Sequence, residues 1–185
     1  MNPPLSTPWR AALVLAGLAL FAVFVSRPGS TCASGCFPLA SAFAAEPVDG
    51  EKAVAWTLED LRGNTVKSSE FDGKVVVLNF WATWCPPCRA EIPGFVALQD
   101  RYAKEGLQIL GVSLDQGSAA SVEAFGKKMG INYPLLAGTE EIVSAFGGVR
   151  ALPTTVILDR KGNVVDRHEG YLSKDDLEKA VQSLL

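Results

Sequence analysis

The sequence predicts an α/β fold, a sandwich built on a central mixed sheet with helices on its faces. Three observations carry that expectation. Val75–Phe80 is a continuous β-branched and apolar run, and Leu107–Leu114 is a second, which suits strands buried on both faces. Each is followed by a helical segment, 85–105 and 118–129. A hairpin and one closing helix then complete the chain, an order that fits a layered mixed sheet.

Each element has its own local reason. Ala53–Leu58 alternates weakly and runs into Asp60-Leu61-Arg62-Gly63-Asn64, a turn cluster, after which Asn64–Phe71 returns as a second short strand. Asp72-Gly73 turns the chain into the first buried strand. Between Leu114 and Glu140 the sequence predicts an added helix–strand unit. Val122 and Phe125 lie on one side of its helix, and Tyr133–Leu136 is its strand. A short helix over 140–146 stops at Gly147-Gly148. Thr154–Leu158 and Val164–Glu169 pair around Asp159-Arg160-Lys161-Gly162-Asn163. Ser173 caps the last helix, with Asp175 and Asp176 in its first turn and Leu177, Val181 and Leu184 along one face.

Two kinds of material make up the 185 residues. Residues 1–45 carry only Arg10 and Arg27 as charged side chains, whereas 46–185 hold 15 basic and 20 acidic residues, a net −5. With no basic excess, nucleic acid is not an expected partner. Arg10 precedes an unbroken apolar stretch from Ala11 to Val25, the way an export signal begins. Two outcomes stay open. Residues 9–26 remain as a membrane anchor on a tether, or cleavage near Ala44, after the small residues Ala42 and Ala44, releases a soluble domain. Either way residues 46–185 form the globular domain, outside the cytoplasm. Cys32 and Cys36 fall in the leader and are read as incidental.

The informative stretch is Phe80-Trp81-Ala82-Thr83-Trp84-Cys85-Pro86-Pro87-Cys88-Arg89-Ala90-Glu91-Ile92-Pro93. A buried strand runs into a helix that begins at a cysteine. Unpaired backbone N–H groups and the positive end of the helix dipole converge there and favour thiolate, the form that attacks disulfides. The two-residue spacing brings Cys88 within bonding range, so it can resolve a mixed disulfide. Prolines in a first helical turn lose no hydrogen bond. Glu91 follows Cys88 by three residues, on the same helix face. A carboxyl there can accept the proton that Cys88 must lose; the plainer reading is a solvated carboxylate or a charge pair with Arg89. Pro93 is expected to kink the helix. Trp81 and Trp84 flank the site, and Trp84 is the one expected to line the exposed sulfur.

Trp84-Cys85-Pro86-Pro87-Cys88 with Pro93 five residues on resembles the thioredoxin superfamily, and Gly148-Val149-Arg150-Ala151-Leu152-Pro153-Thr154-Thr155 looks like the segment that supplies its cis-proline. The resemblance covers about residues 50–185. It implies a thioredoxin-like fold with an N-terminal β-hairpin and a central helix–strand insert. It also implies that Pro153 is cis and packs against the cysteine pair, and that the Leu152 backbone pairs with bound substrate. The leader, the insert and Glu91 point to the TlpA/ResA-like membrane-associated branch. That branch implies reduction of disulfides in exported proteins, in tasks such as cytochrome c maturation, with electrons from a membrane thiol transporter and no cofactor. Thioredoxin's buried aspartate is here Asn79, which cannot take a proton, so the acceptor role falls more heavily on Glu91.

Three rival readings fit the sequence less well. A structural zinc site needs four ligands, and the globular part has only Cys85, Cys88 and His168. A copper carrier on the same fold uses Cys-x-x-x-Cys and a distant histidine; His168, between Arg167 and Glu169, is read as a surface residue. A peroxiredoxin places threonine three residues before its peroxidatic cysteine, where this chain has Ala82.

Overall fold

The computed structural model describes residues 52–185. The leader, with Cys32 and Cys36 and the choice between anchor and cleavage, lies outside the described residues. No helix among them is long and apolar enough to cross a membrane.

Strands β1 (Thr57–Glu59) and β2 (Thr65–Lys67) form the N-terminal antiparallel hairpin. The expected second strand is shorter than its sequence window, because Ser68–Phe71 winds into a 3-10 turn. The main sheet has five strands. They are β3 (Val75–Trp81), β4 (Leu107–Ser113), β5 (Leu135–Ala137), β6 (Thr154–Leu158) and β7 (Val164–Glu169), in the order β5-β4-β3-β6-β7. β3, β4 and β5 run parallel, while β6 and β7 are antiparallel additions, so the sheet is mixed as expected. Strand β5 starts two residues later than its apolar run. Pro134 has no N–H to offer a ladder, and its carbonyl instead accepts from Gly111 N–H at 2.9 Å.

All seven residues of β3 are buried, and their alternation sorts two cores. Val76, Leu78 and Phe80 pack with Trp56 and Leu58 of the hairpin side and with Ile142 and Phe146 of α3 (Glu140–Ala145) and its end. Val75 and Val77 pack on the opposite face with Phe95, Leu98 and Tyr102 of α1 (Pro86–Tyr102) and with Leu177 and Val181 of α4 (Lys174–Gln182). Full burial of one such side chain stabilises the fold by roughly 2–3 kcal/mol. By the same alternation Asn79 points toward α1, and this places a polar amide in the interface that carries the cysteines.

Helix α2 (Ala119–Met129) is the inserted helix. Ser118, Thr139 and Ser173 cap α2, α3 and α4 by accepting the N–H of Ser121, Ile142 and Asp176, each cap worth about 1 kcal/mol. The two turn clusters share one geometry. Asp60 Oδ1 accepts from the N–H of Arg62 and Asn64, and Asp159 Oδ1 accepts from the N–H of Lys161 and Asn163. Gly63 and Gly162 sit at φ of +82° and +80°, where a side chain would be strained.

Candidate active site

Strand β3 ends at Trp81, and the chain crosses Ala82, Thr83 and Trp84 before entering α1. Cys85 is the N-cap of that helix, in extended backbone geometry, with Pro86 and Pro87 in its first turn. Its Sγ accepts from Cys88 N–H at 3.3 Å, so the helix N-terminus does point at this sulfur. Cys85 and Cys88 are joined in a disulfide. Both are buried, at 3% and 1% exposure, while Trp84 beside them is 66% exposed. The helix continues without a break through the exposed Pro93.

An apolar cluster of Trp81, Ala82, Ile92 and Val122 surrounds the two sulfurs, with Phe125 and Leu152 packed against it. The Trp81 and Phe125 rings lie 5.8 Å apart, and the Arg89 guanidinium sits 5.9 Å over Phe125. The inserted helix α2 therefore builds one wall of the site, and Arg89 turns to that wall rather than to Glu91.

The second motif meets the first. The Leu152–Pro153 peptide is cis and Pro153 is buried. Its carbonyl accepts from Gly170 N–H at 2.8 Å. Leu152 packs against the cysteine cluster, and no hydrogen bond within the described residues occupies its backbone N–H or C=O.

Glu91 is no solvated carboxylate. It is 3% exposed and held from two sides. Asn79 Nδ2 donates to its Oε1 at 2.7 Å, and Leu172 N–H donates to its Oε2 at 3.2 Å. Burial pushes the carboxyl up from 4.5 to about 7, against the lowering effect of the Leu172 N–H and the Asn79 amide. The same Asn79 amide reaches Thr155 Oγ1 at 3.2 Å. Tyr133 is likewise pushed above the usual phenol value, by burial first and by the Glu91 charge second.

The sequence carries little signal for several of these partners. Thr155 adjoins the proline motif, which is a faint signal. Leu172 lies 81 residues from Glu91 and has none. His168 is half-buried at the surface. It stands on β7 opposite Thr155, with Nε2 3.2 Å from the Tyr171 carbonyl. Ala82 is fully buried, and the Thr83 hydroxyl is committed to Asp115 at 2.6 Å, so the threonine a peroxiredoxin places three residues before its cysteine has no counterpart.

The model of the AhpC/TSA family, which spans thioredoxin-fold proteins, matches residues 50–167. The chain belongs to the AhpC/TSA family. Among curated relatives, thiol-disulfide oxidoreductase ResA of Geobacillus kaustophilus is 33% identical over 166 residues, 90% of this chain and 92% of that one. Among solved structures, the thioredoxin family thiol:disulfide interchange protein of Chlorobium tepidum superposes with a TM-score of 0.68 at 33% identity, covering 73% of this chain and 96% of that one. A putative thiol:disulfide interchange protein DsbE from the same organism gives 0.67 at 30% identity, with coverage of 73% and 96%. This AhpC/TSA member is a thiol–disulfide oxidoreductase of thioredoxin fold, similar to proteins of the ResA and DsbE type. The resemblance stated from Trp84–Cys88 and Gly148–Thr155 holds across the domain.

Proposed function

We propose that this enzyme reduces disulfides in exported proteins on the extracytoplasmic side of a membrane. The observation that carries the reading is the buried Glu91, a carboxyl that titrates near neutral pH, one helical turn beyond Cys88. An apolar leader at 11–25 and the names ResA and DsbE among its relatives support the compartment. By the same likeness the task is cytochrome c maturation or a similar one, with a membrane thiol transporter as electron donor.

The reaction starts from the dithiol. Cys85 thiolate, favoured by the N–H groups of α1, attacks one sulfur of the substrate disulfide. The other substrate sulfur leaves as thiolate and takes a proton, and a mixed disulfide remains on Cys85. The substrate chain lies along Leu152-Pro153, using the free N–H and C=O of Leu152, with Trp84 against its side chains. Glu91 carboxylate takes the proton of Cys88. Cys88 then attacks Cys85 Sγ and releases the second substrate thiol. Two electrons have passed to the substrate, and the enzyme is left as the Cys85–Cys88 disulfide. A proton acceptor works best when its own pKa lies near the working pH, which burial achieves for Glu91.

The test is the reduction potential of the pair, measured by equilibration with glutathione. A value near about −270 mV marks a reductant of thioredoxin type, whereas one near about −120 mV marks a disulfide donor and overturns the direction.

A further inference from the structure

The loop that presents Trp84 and Cys85 is tied at one point that neither family motif contains. Asp115 stands just beyond the end of β4. Its Oδ1 accepts the Thr83 hydroxyl at 2.6 Å, and its Oδ2 accepts Thr83 N–H at 3.0 Å. The same carboxylate is braced on its own strand, since Ser113 Oγ donates to Oδ2 at 2.8 Å and Asp115 N–H donates to Ser113 Oγ at 3.2 Å. Leu114 N–H donates to the Trp81 carbonyl at 2.9 Å and joins the two strand ends just below. Thr83 and Asp115 are 32 residues apart, so this is a tertiary tie and not a local turn.

We propose that Asp115 is a positioning residue of the redox centre, which holds the Thr83–Trp84–Cys85 turn so that the Cys85 sulfur stays on the N-terminus of α1. The proposal rests on Cys85 being the attacking thiol. The turn has one internal restraint of its own, Cys85 N–H to the Ala82 carbonyl at 3.2 Å. Among the described residues, the only hydrogen bonds to Thr83, between Ala82 and Trp84, come from Asp115, through both its main chain and its side chain. A carboxylate suits that place because it presents two acceptor oxygens to three donors, where an amide presents one. Charged acceptors also make the stronger hydrogen bonds. Freed of the tie, the turn can swing Cys85 Sγ off Cys88 N–H, and the thiolate loses the donor that stabilises it.

The test follows the pH dependence of alkylation of the reduced full chain by iodoacetamide, with the modified cysteine mapped by mass spectrometry. Thr83→Val keeps the shape and removes the hydroxyl; Asp115→Ala removes the whole tie. Both should raise the midpoint of the Cys85 profile, and Thr83→Val should slow alkylation near neutral pH roughly fivefold, the equivalent of one ordinary hydrogen bond. Thr83→Ser keeps the hydroxyl and should restore the wild-type midpoint. A structural role alone would lower the melting temperature and leave the profile in place, and folded Thr83→Val with a wild-type midpoint overturns the proposal. Alkylation of the wild type at Cys88 in place of Cys85 would instead remove the nucleophile assignment itself, and the proposal with it.

Discussion

Asn79 Nδ2 donates to Glu91 Oε1 at 2.7 Å, across the interface between the central strand and the helix that carries both cysteines. Asn79 cannot itself take a proton, but its amide orients the Glu91 carboxyl, the acceptor in the proposed mechanism. The strand therefore supplies direction and the helix supplies acidity.

Replacing Glu91 with Gln should leave the fold intact and slow disulfide exchange about ten- to a hundredfold at pH 7, the scale of one lost proton acceptor. Stopped-flow fluorescence of Trp84 during oxidation by a peptide disulfide would read the rate. The defect should shrink at high pH, where Cys88 loses its proton unaided. A rate equal to wild type from pH 6 to 9 would remove Glu91 from the mechanism.

Glu91 also makes stability depend on pH. Its folded pKa of about 7 lies above the ordinary 4.5, so the folded state binds the proton more tightly than the unfolded chain. That contribution is complete below about 4.5 and is lost as pH rises through about 7, with an upper size of ~3 kcal/mol. Denaturant melts at pH 5 and pH 8 should show the wild type weakening by up to this amount and Glu91→Gln staying nearly level.

Substituting Asn79 by Leu takes away one of the two donors that favour the charged carboxylate. The midpoint of the exchange–pH profile should move up by about one unit, since a hydrogen bond to a charge is worth 1.5 kcal/mol or somewhat more, roughly a unit of pKa. No movement would mean that burial and the Leu172 N–H set the Glu91 carboxyl without the Asn79 amide.

Trp84 is exposed and touches little of the core, so Trp84→Ala should barely alter the melting temperature. It should raise KM for a folded protein disulfide and leave reduction of a small disulfide such as hydroxyethyl disulfide near the wild-type rate. Equal loss on both substrates would place Trp84 in the chemistry instead of in docking.

Gly111 on β4 has no room for a side chain, because a Cβ there would lie 2.6 Å from Leu135 Cδ2 and 3.0 Å from Trp81 Nε1. Gly111→Ala should cost about 1–3 kcal/mol through overpacking. Since Trp81 packs in the cysteine cluster, exchange should slow as well. Thermal melts with parallel kinetics would separate the two effects.

The elements whose signals are local were legible in the sequence. Val75–Phe80 and Leu107–Leu114 announce strands by apolar runs, Ser173 announces the last helix by its cap, and the two Asp-x-x-Gly-Asn turns mark their hairpins. The cysteine pair was legible because its spacing carries chemistry, and Pro153 because the segment around it resembles one of the thioredoxin superfamily. What was not legible is contact at long range. Nothing in the sequence joins Leu172 to Glu91 or Asp115 to Thr83, since a backbone N–H or a lone aspartate has no pattern to betray its partner. His168 keeps its expected place at the surface end of a strand, half-buried where it pairs opposite Thr155.

Strand β3 is third of five, hydrogen-bonded on both edges and buried along its whole length. Amide protons on such a strand exchange with solvent only through the largest openings of the molecule, while those on the edge strands β5 and β7 escape through smaller ones. The cysteines thus hang from the segment that opens last. A local opening at either edge of the sheet therefore leaves the strand that leads into the cysteines paired on both sides.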